Sequence, residues 1–274
     1  MATRDRSAGV HATTVIKRRQ LANGVVSLSL DAAMLASATR PGQYVMAIPP
    51  GGGTAATALA VYEAEGKLAS LLFFITGKRT NLLAQLRPGD RLDVIGPLGN
   101  GFDLSNAVRD AAIVAGGVGI ASVLLCANAL LATGARVRLF YGARTAELLV
   151  DAQRFVQAGC ELIVTTDDGT LGARGFITEA LERAAAPEII YACGPTPMLR
   201  SVARIANTMG VRAQLALEET FGCGVGGCWG CVVPIVAASA QAPSFPPASL
   251  GGSDVVYARI CKEGPVFWAD ELRW

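Results

Sequence analysis

Short apolar runs alternate with turn signals from residue 14 to about residue 103. Segments such as Val25-Val26-Ser27-Leu28-Ser29-Leu30 and Leu71-Leu72-Phe73-Phe74-Ile75 have the length and composition of strands. Between such runs stand Asn23-Gly24, Pro41-Gly42, Pro88-Gly89 and the glycine-bearing stretches 49–53 and 99–101, each a place for the chain to reverse. Short strands at regular spacing predict a small antiparallel β-barrel over residues 1–103.

Beyond residue 103 the period changes. Strands are predicted at 113–115, 137–141, 162–165 and 188–192, with helices at 120–131, 146–157, 175–185 and 198–209. Strictly alternating strands and helices joined by short loops read as a doubly wound parallel sheet, here over 104–212. From residue 213 the chain turns glycine- and cysteine-rich, then proline-rich over 243–247, so 213–274 is expected to be a third, small unit. The predicted class is β + α/β, and no internal repeat is present.

The 25 residues from Ala111 to Ala135 carry no charge, enough in length to test as a membrane span. Gly116, Gly117 and Gly119 punctuate them, and the flanking alternation continues through them. A buried strand, a turn and a packed helix account for the trace, so no membrane span is expected. Of the 274 residues 51% are hydrophobic and 17% charged, against a usual charged share of about 25%, which excludes disorder. Twenty-four basic and 22 acidic residues leave a net charge of +2, which offers nucleic acid no electrostatic footprint. The first 15 residues hold no apolar signal core, and a cytoplasmic location is expected. With His11 as its one histidine, the chain is a poor candidate for Ser-His-Asp or Cys-His chemistry.

Seven cysteines in a chain without a signal peptide argue against a disulfide framework. Cys223, Cys228 and Cys231 crowd together, and Cys261 follows. The spacing C-x4-C-x2-C…C is that of a plant-type [2Fe–2S] site. Glycines between the ligands let backbone N–H groups turn toward the sulfurs. Zinc is the alternative, although zinc sites usually pair C-x2-C knuckles. Gly116-Gly117-Val118-Gly119-Ile120 lies between a strand and a helix, where Gly117, Gly119 and Ile120 suit a dinucleotide pyrophosphate or a merely close-packed turn. Cys193-Gly194-Pro195 leaves a strand at its C-terminal end, where ligands of such sheets bind; Cys193 either faces a cofactor or is a buried small thiol. Cys126 and Cys160 are expected in the core.

In chain order Gly96-Pro97-Leu98-Gly99-Asn100-Gly101-Phe102, the Gly116 turn, Thr166-Asp167-Asp168-Gly169, Tyr191-Ala192-Cys193-Gly194-Pro195, Leu217-Glu218-Glu219, the cysteine cluster and Cys261-Lys262-Glu263-Gly264-Pro265 resemble the electron-transfer subunits of type B dihydroorotate dehydrogenase, within the ferredoxin reductase superfamily. The resemblance covers nearly the whole chain. It implies a flavin-type barrel binding FAD, a nicotinamide (NAD) domain and a [2Fe–2S] tail. Electrons then pass from NADH through FAD and the cluster to a separate FMN-containing catalytic subunit in a hetero-oligomer serving pyrimidine biosynthesis. It places Gly99, Asn100, Gly101 and Phe102 among the cofactor-binding residues. Where the family carries an arginine on a barrel strand, this chain has Thr57-Ala58-Leu59-Ala60, so Leu59 and Ala60 fall in the flavin region. Phe73-Phe74 replaces an aromatic-arginine pair. Gly77-Lys78-Arg79-Thr80 stands for the family's Gly-Lys-Gly-Thr turn, and Lys78 or Arg79 is expected to supply the missing charge beside the pyrophosphate. The spacer between Cys231 and Cys261 is long, with an insertion expected near 237–252. Two other readings fit the resemblance: the small subunit of a flavin-based transhydrogenase, and a flavin-free iron–sulfur accessory subunit. Trp229, Phe267 and Trp268 are expected either at a partner interface or in the tail's own core.

Overall fold

A computed structural model of the chain describes residues 8–51, 56–236 and 255–274; the insertion expected near 237–252 lies outside the described residues. Strands β1 (Gly9–Ala22) and β2 (Val25–Asp31) are joined through Asn23-Gly24, with Gly24 at φ +72°, a conformation that favours glycine. Helix α1 (Ala33–Ala38), strands β3 (Tyr44–Ile48), β4 (Thr57–Glu65) and β5 (Leu68–Phe74), helix α2 (Lys78–Ala84) and strand β6 (Arg91–Leu98) complete the first unit. The six strands close into an antiparallel barrel in the order β1-β2-β5-β4-β3-β6. Alternate residues such as Val26, Leu28, Leu30, Leu71 and Phe73 fill its interior. Closure removes the exposed strand edges that an open sheet would leave.

The second unit begins with β7 (Asp110–Gly116). A 3-10 turn over Gly117–Ser122 leads into α3 (Leu124–Ala132), followed by β8 (Arg136–Ala143). The uncharged stretch is therefore a central strand, its turn and a helix. Leu124, Cys126, Ala127 and Leu130 face the sheet core and Leu125 packs on the barrel core, so both faces of α3 meet apolar neighbours. Among the described residues no helix is long and apolar enough to cross a membrane. The helix expected over 146–157 is broken: a 3-10 turn at Ala146–Leu148 precedes α4 (Ala152–Ala158), and Asp151 between them has φ 52°. That kink aims Asp151 at the barrel, where Arg19 reaches its carboxylate at 3.1 Å and the Tyr62 hydroxyl donates to it at 3.1 Å. Arg154, one turn on, pairs with Glu63.

Strands β9 (Glu161–Thr166) and β10 (Ala173–Arg174), helix α5 (Ile177–Glu182), strand β11 (Ile189–Cys193), helix α6 (Thr196–Met209) and strand β12 (Arg212–Ala216) follow. The hairpin β13 (Val232–Val236) and β14 (Val255–Arg259) precedes the last strand, β15 (Val266–Trp268). The large sheet has seven strands in the order β10-β9-β8-β7-β11-β12-β15. It is parallel except at one edge, where Leu215 of β12 pairs antiparallel with Phe267 of β15. Two departures from the sequence reading follow. The sheet runs through β12 to Ala216, past the 212/213 division, and the tail contributes its edge strand. Both strands are short, and their partners are distant in sequence, so local periodicity does not announce them.

Candidate functional site

A cleft of about 470 Å³ opens between barrel strands β3, β4 and β5 and the C-terminal ends of β7, β11 and β12. Tyr44, Leu59, Ala60, Phe73, Phe74 and Thr80 form its barrel wall; Val118, Ser122, Cys193 and Glu218 form the opposite one. The volume lies within the range of cofactor pockets, and the ends of parallel strands are where such sheets bind ligands. Of the residues predicted from sequence, Leu59, Ala60, Thr80 and Cys193 meet here. No lysine or arginine is among the described residues that wall the cleft. Arg79 stands at its rim, donating from Nη1 to the Ala56 carbonyl at 2.9 Å, beside Thr57 at the start of β4. Lys78 is exposed next to it. Within the same turn the Thr80 hydroxyl accepts from the N–H groups of Thr76 and Gly77 at 3.0 and 3.1 Å. An apolar slot with aromatic and small walls suits a flavin ring, and Arg79 and Lys78 are cations beside its rim.

Cys193 is buried and donates to Glu218 Oε1 at 3.5 Å. Burial, together with the neighbouring Glu218 carboxylate, pushes the Cys193 thiol well above its ordinary value. Glu218 is exposed on the cleft wall, yet the protein packed around its carboxyl is enough for desolvation to raise it, against a lowering contribution from the Cys193 thiol. Cys193 therefore stays a neutral thiol, and the Glu218 carboxyl holds its proton more tightly than a free one does. Glu218 appears in the sequence only within Leu-Glu-Glu, and nothing local gives it a role: its partner stands 25 residues away.

The two glycines of the nucleotide-type turn differ. Gly117 has φ +54°, and a Cβ built on it meets nothing within 4 Å, so its backbone faces open space at the strand ends. On Gly119 a Cβ would lie 2.2 Å from the carbonyl oxygen of Cys193 and 2.8 Å from the nitrogen of Gly194. Gly119 thus lets the turn pack on the end of β11, and Ile120 is buried behind it. Gly194 (φ +155°) and Pro195 lie against Gly116 in the same junction. The structure makes Gly119 a packing residue, where sequence pattern had allowed either role.

Gly99-Asn100-Gly101-Phe102 does not itself line this cleft; it stands behind Gly42, Tyr44 and Pro265, which do, and docks the tail. The Asn100 side chain donates to the Val266 carbonyl at 2.7 Å and accepts from the Val266 N–H at 3.1 Å. Gly99 leaves room for Pro265, and Phe102 meets the edge of Tyr191 at 5.5 Å between ring centroids. Asn100, Gly101 and Phe102 line a second hollow with Arg40 and Trp268.

Cys223 is half-buried, Cys228 exposed, and Cys231 and Cys261 buried. They fall into two pairs. The Cys223 sulfur accepts from the N–H groups of Gly227 and Cys228 at 3.2 and 3.4 Å and interacts with the Cys228 thiol. Burial opposes ionisation of Cys223, but these donors and the Val225 N–H win, lowering it to about 6. The Cys231 sulfur accepts from the Cys261 N–H at 3.4 Å, and the two thiols interact. Burial and this neighbour push Cys261 up to about 12. Among the described residues no three His, Cys, Asp or Glu side chains converge as ligands of one ion. A tetrahedral zinc site would need four sulfurs near ~2.3 Å from a single point. Two pairs, each backed by N–H donors, suit a binuclear cluster with two thiolates per iron. Cys126 and Cys160 lie apart, in the core of the sheet unit. The aromatic residues are largely covered by the chain itself: Phe267 is fully buried, Arg212 lies 3.6 Å above the Trp268 ring, and Arg259 lies 4.4 Å above that of Trp229.

A closed antiparallel barrel leading into a largely parallel α/β sheet, with a cleft at their junction, is the ferredoxin reductase-like flavoprotein fold. Residues 113–204 match the oxidoreductase NAD-binding domain model. One chain of NADH-dependent reduced ferredoxin-NADP oxidoreductase, known for flavin-based electron bifurcation, superposes with a TM-score of 0.81 at 27% identity, covering 97% of this chain and 91% of that one. The ferredoxin reductase of carbazole 1,9a-dioxygenase shares the fold at a TM-score of 0.64 and 23% identity, over 74% of this chain and 67% of that one. A protein of Geobacillus kaustophilus (strain HTA426), the electron transfer subunit of dihydroorotate dehydrogenase B (NAD(+)), is 35% identical over 272 residues, spanning 94% of this chain and 96% of its own. The chain belongs to the family of dihydroorotate dehydrogenase B electron transfer subunits.

Proposed function

We propose that this chain is an NADH-dependent oxidoreductase subunit. It relays electrons between NADH, FAD and a [2Fe–2S] cluster and exchanges them with a separate FMN-containing catalytic flavoprotein of the dihydroorotate dehydrogenase type. The observation that carries this reading is the cleft itself: the open Gly117 turn stands on one side of it, and the segment bearing Cys223, Cys228, Cys231 and Cys261 adjoins the other. Bound flavin exchanges two electrons as hydride with a nicotinamide and one electron at a time with a cluster. The chain's own residues then position and shield. Tyr44, Leu59, Ala60 and Phe74 hold the ring, Arg79 with Lys78 meets the pyrophosphate, and Gly117 admits the dinucleotide. Cys193, a buried neutral thiol, and Glu218 line the nicotinamide side. Hydride transfer needs orientation and no acid or base, which suits a chain with one histidine.

The functional units are 1–103 for flavin, 104–212 for nicotinamide and 213–274 for the cluster, although β12 and β15 tie the last two into one sheet. Reduced thiols at the cluster position fit the cytoplasm. A flavin-free accessory subunit is the second reading, favoured by a cleft wall without basic residues. A transhydrogenase small subunit would differ in its partner. Anaerobic purification with cofactor extraction tests the proposal: one flavin per chain beside iron and sulfide, all reduced by NADH, is expected. Iron and sulfide with no flavin, even after incubation with FAD, would leave the accessory reading.

A further inference from the structure

Tyr44 belongs to two sites at once. Its ring walls the cleft, and its hydroxyl lies 2.8 Å from the carbonyl oxygens of both Gly224 and Cys261. These residues are 180 and 217 positions away, one in the proximal cysteine loop and one a cysteine of the distant segment. A phenol has one hydrogen to donate, so the two carbonyls share it and are drawn together. The ring is fixed in turn: Phe221 packs on it at 5.0 Å between centroids, and Gly99 leaves it room, since a Cβ there would lie 3.1 Å from its Cε1. Met46, on the same face of β3, rests on Gly224, where a Cβ would come 2.3 Å from its sulfur. Barrel strand β3 is thus a platform for the cysteine loop. Tyr44 is buried, and since both partners are carbonyl oxygens its hydroxyl is the donor to each.

The geometry points to Tyr44 as the positioning residue that clamps the cysteine segment to the cleft and so sets the contact across which the flavin and the cluster exchange electrons. This rests on the cluster reading of the four cysteines. A phenylalanine keeps the ring packing but removes the shared hydrogen, leaving two carbonyls without this donor.

The test compares the full chain with Tyr44→Phe after anaerobic reconstitution with iron, sulfide and FAD. Iron release to a ferrous chelator is expected to quicken about fivefold, the size of one lost hydrogen bond. In stopped flow with NADH, the ratio of cluster reduction to flavin reduction is expected to fall by a similar factor, with a changed EPR spectrum of the reduced cluster. Melting by circular dichroism checks the fold. Gly224→Ala, which pushes the loop off Met46, is expected to speed iron release as well and stands in should Tyr44→Phe fail to accumulate. Iron release, rate ratio and EPR spectrum all matching the parent would overturn the clamp while leaving the cluster. A parent chain that takes up no iron and sulfide would overturn both.

Discussion

Replacing Gly119 by alanine separates packing from binding in the nucleotide-type turn. The added Cβ would lie 2.2 Å from the carbonyl oxygen of Cys193 and 2.5 Å from its carbon, whereas real Cβ contacts essentially never fall below 3.0 Å. At least 0.8 Å of movement is therefore required, the difference between those two distances. The obstructing atoms are backbone, held between β7 and β12 by the pairing of Cys193 with Ala115 and Ala216, so no side chain can rotate away. Overpacking of this kind costs about 3 kcal/mol, the upper end of the usual range. For a chain of this size that is a drop in melting temperature of roughly 6–12 °C. Gly117→Ala is the control: its Cβ meets nothing, and the strain of φ +54° costs only about 1 kcal/mol, or roughly 2–4 °C. The same control is expected to weaken NADH roughly tenfold, because its methyl group stands where the pyrophosphate must approach. Scanning calorimetry reads the first effect and titration calorimetry with NADH the second. A Gly119→Ala protein melting with the parent would refute the packing argument, and a Gly117→Ala protein binding NADH normally would refute the placement of the dinucleotide.

Serine at Cys223, Cys228, Cys231 or Cys261 is expected to strip or labilise bound iron, whereas alanine at Cys126 or Cys160 leaves iron and sulfide content unchanged; a fully loaded Cys261→Ser protein would remove the distant cysteine from the ligand set. Arg79→Ala is expected to weaken FAD about tenfold or more while riboflavin, which has no phosphate, binds as in the parent, and fluorescence quenching titrations with both would expose an equal loss as a steric effect. The raised carboxyl of Glu218 makes the native state keep its proton where the unfolded chain has lost it, so its contribution to stability is present in acid and lost as pH rises through the raised value. Glu218→Gln removes that loss: its melting temperature should exceed the parent's by a margin that grows from acid to neutral pH, and a margin growing toward acid would contradict the assignment.

Much of this protein is written locally. A strand such as Leu71-Leu72-Phe73 or an element order such as β7–turn–α3 follows from period and turn residues, because side chains that must face a core recur at the spacing of the element that carries them. The cysteine spacing is local in the same sense for three of its four members. What the tertiary structure decided depends on residues far apart in sequence. Asp151 breaks an otherwise continuous helical pattern because Arg19 and Tyr62 of the barrel hold its carboxylate. Strand β12 extends the sheet against β11, β15 joins it only because Phe267 finds Leu215, and Gly119 proves a packing glycine only once Cys193 is seen against it. Tyr44 looks like an ordinary barrel aromatic until its hydroxyl meets Gly224 and Cys261. Periodicity reports which face of an element is apolar; which polar group meets which backbone atom is fixed only when the elements pack, and that is where the chemistry of this chain is assembled.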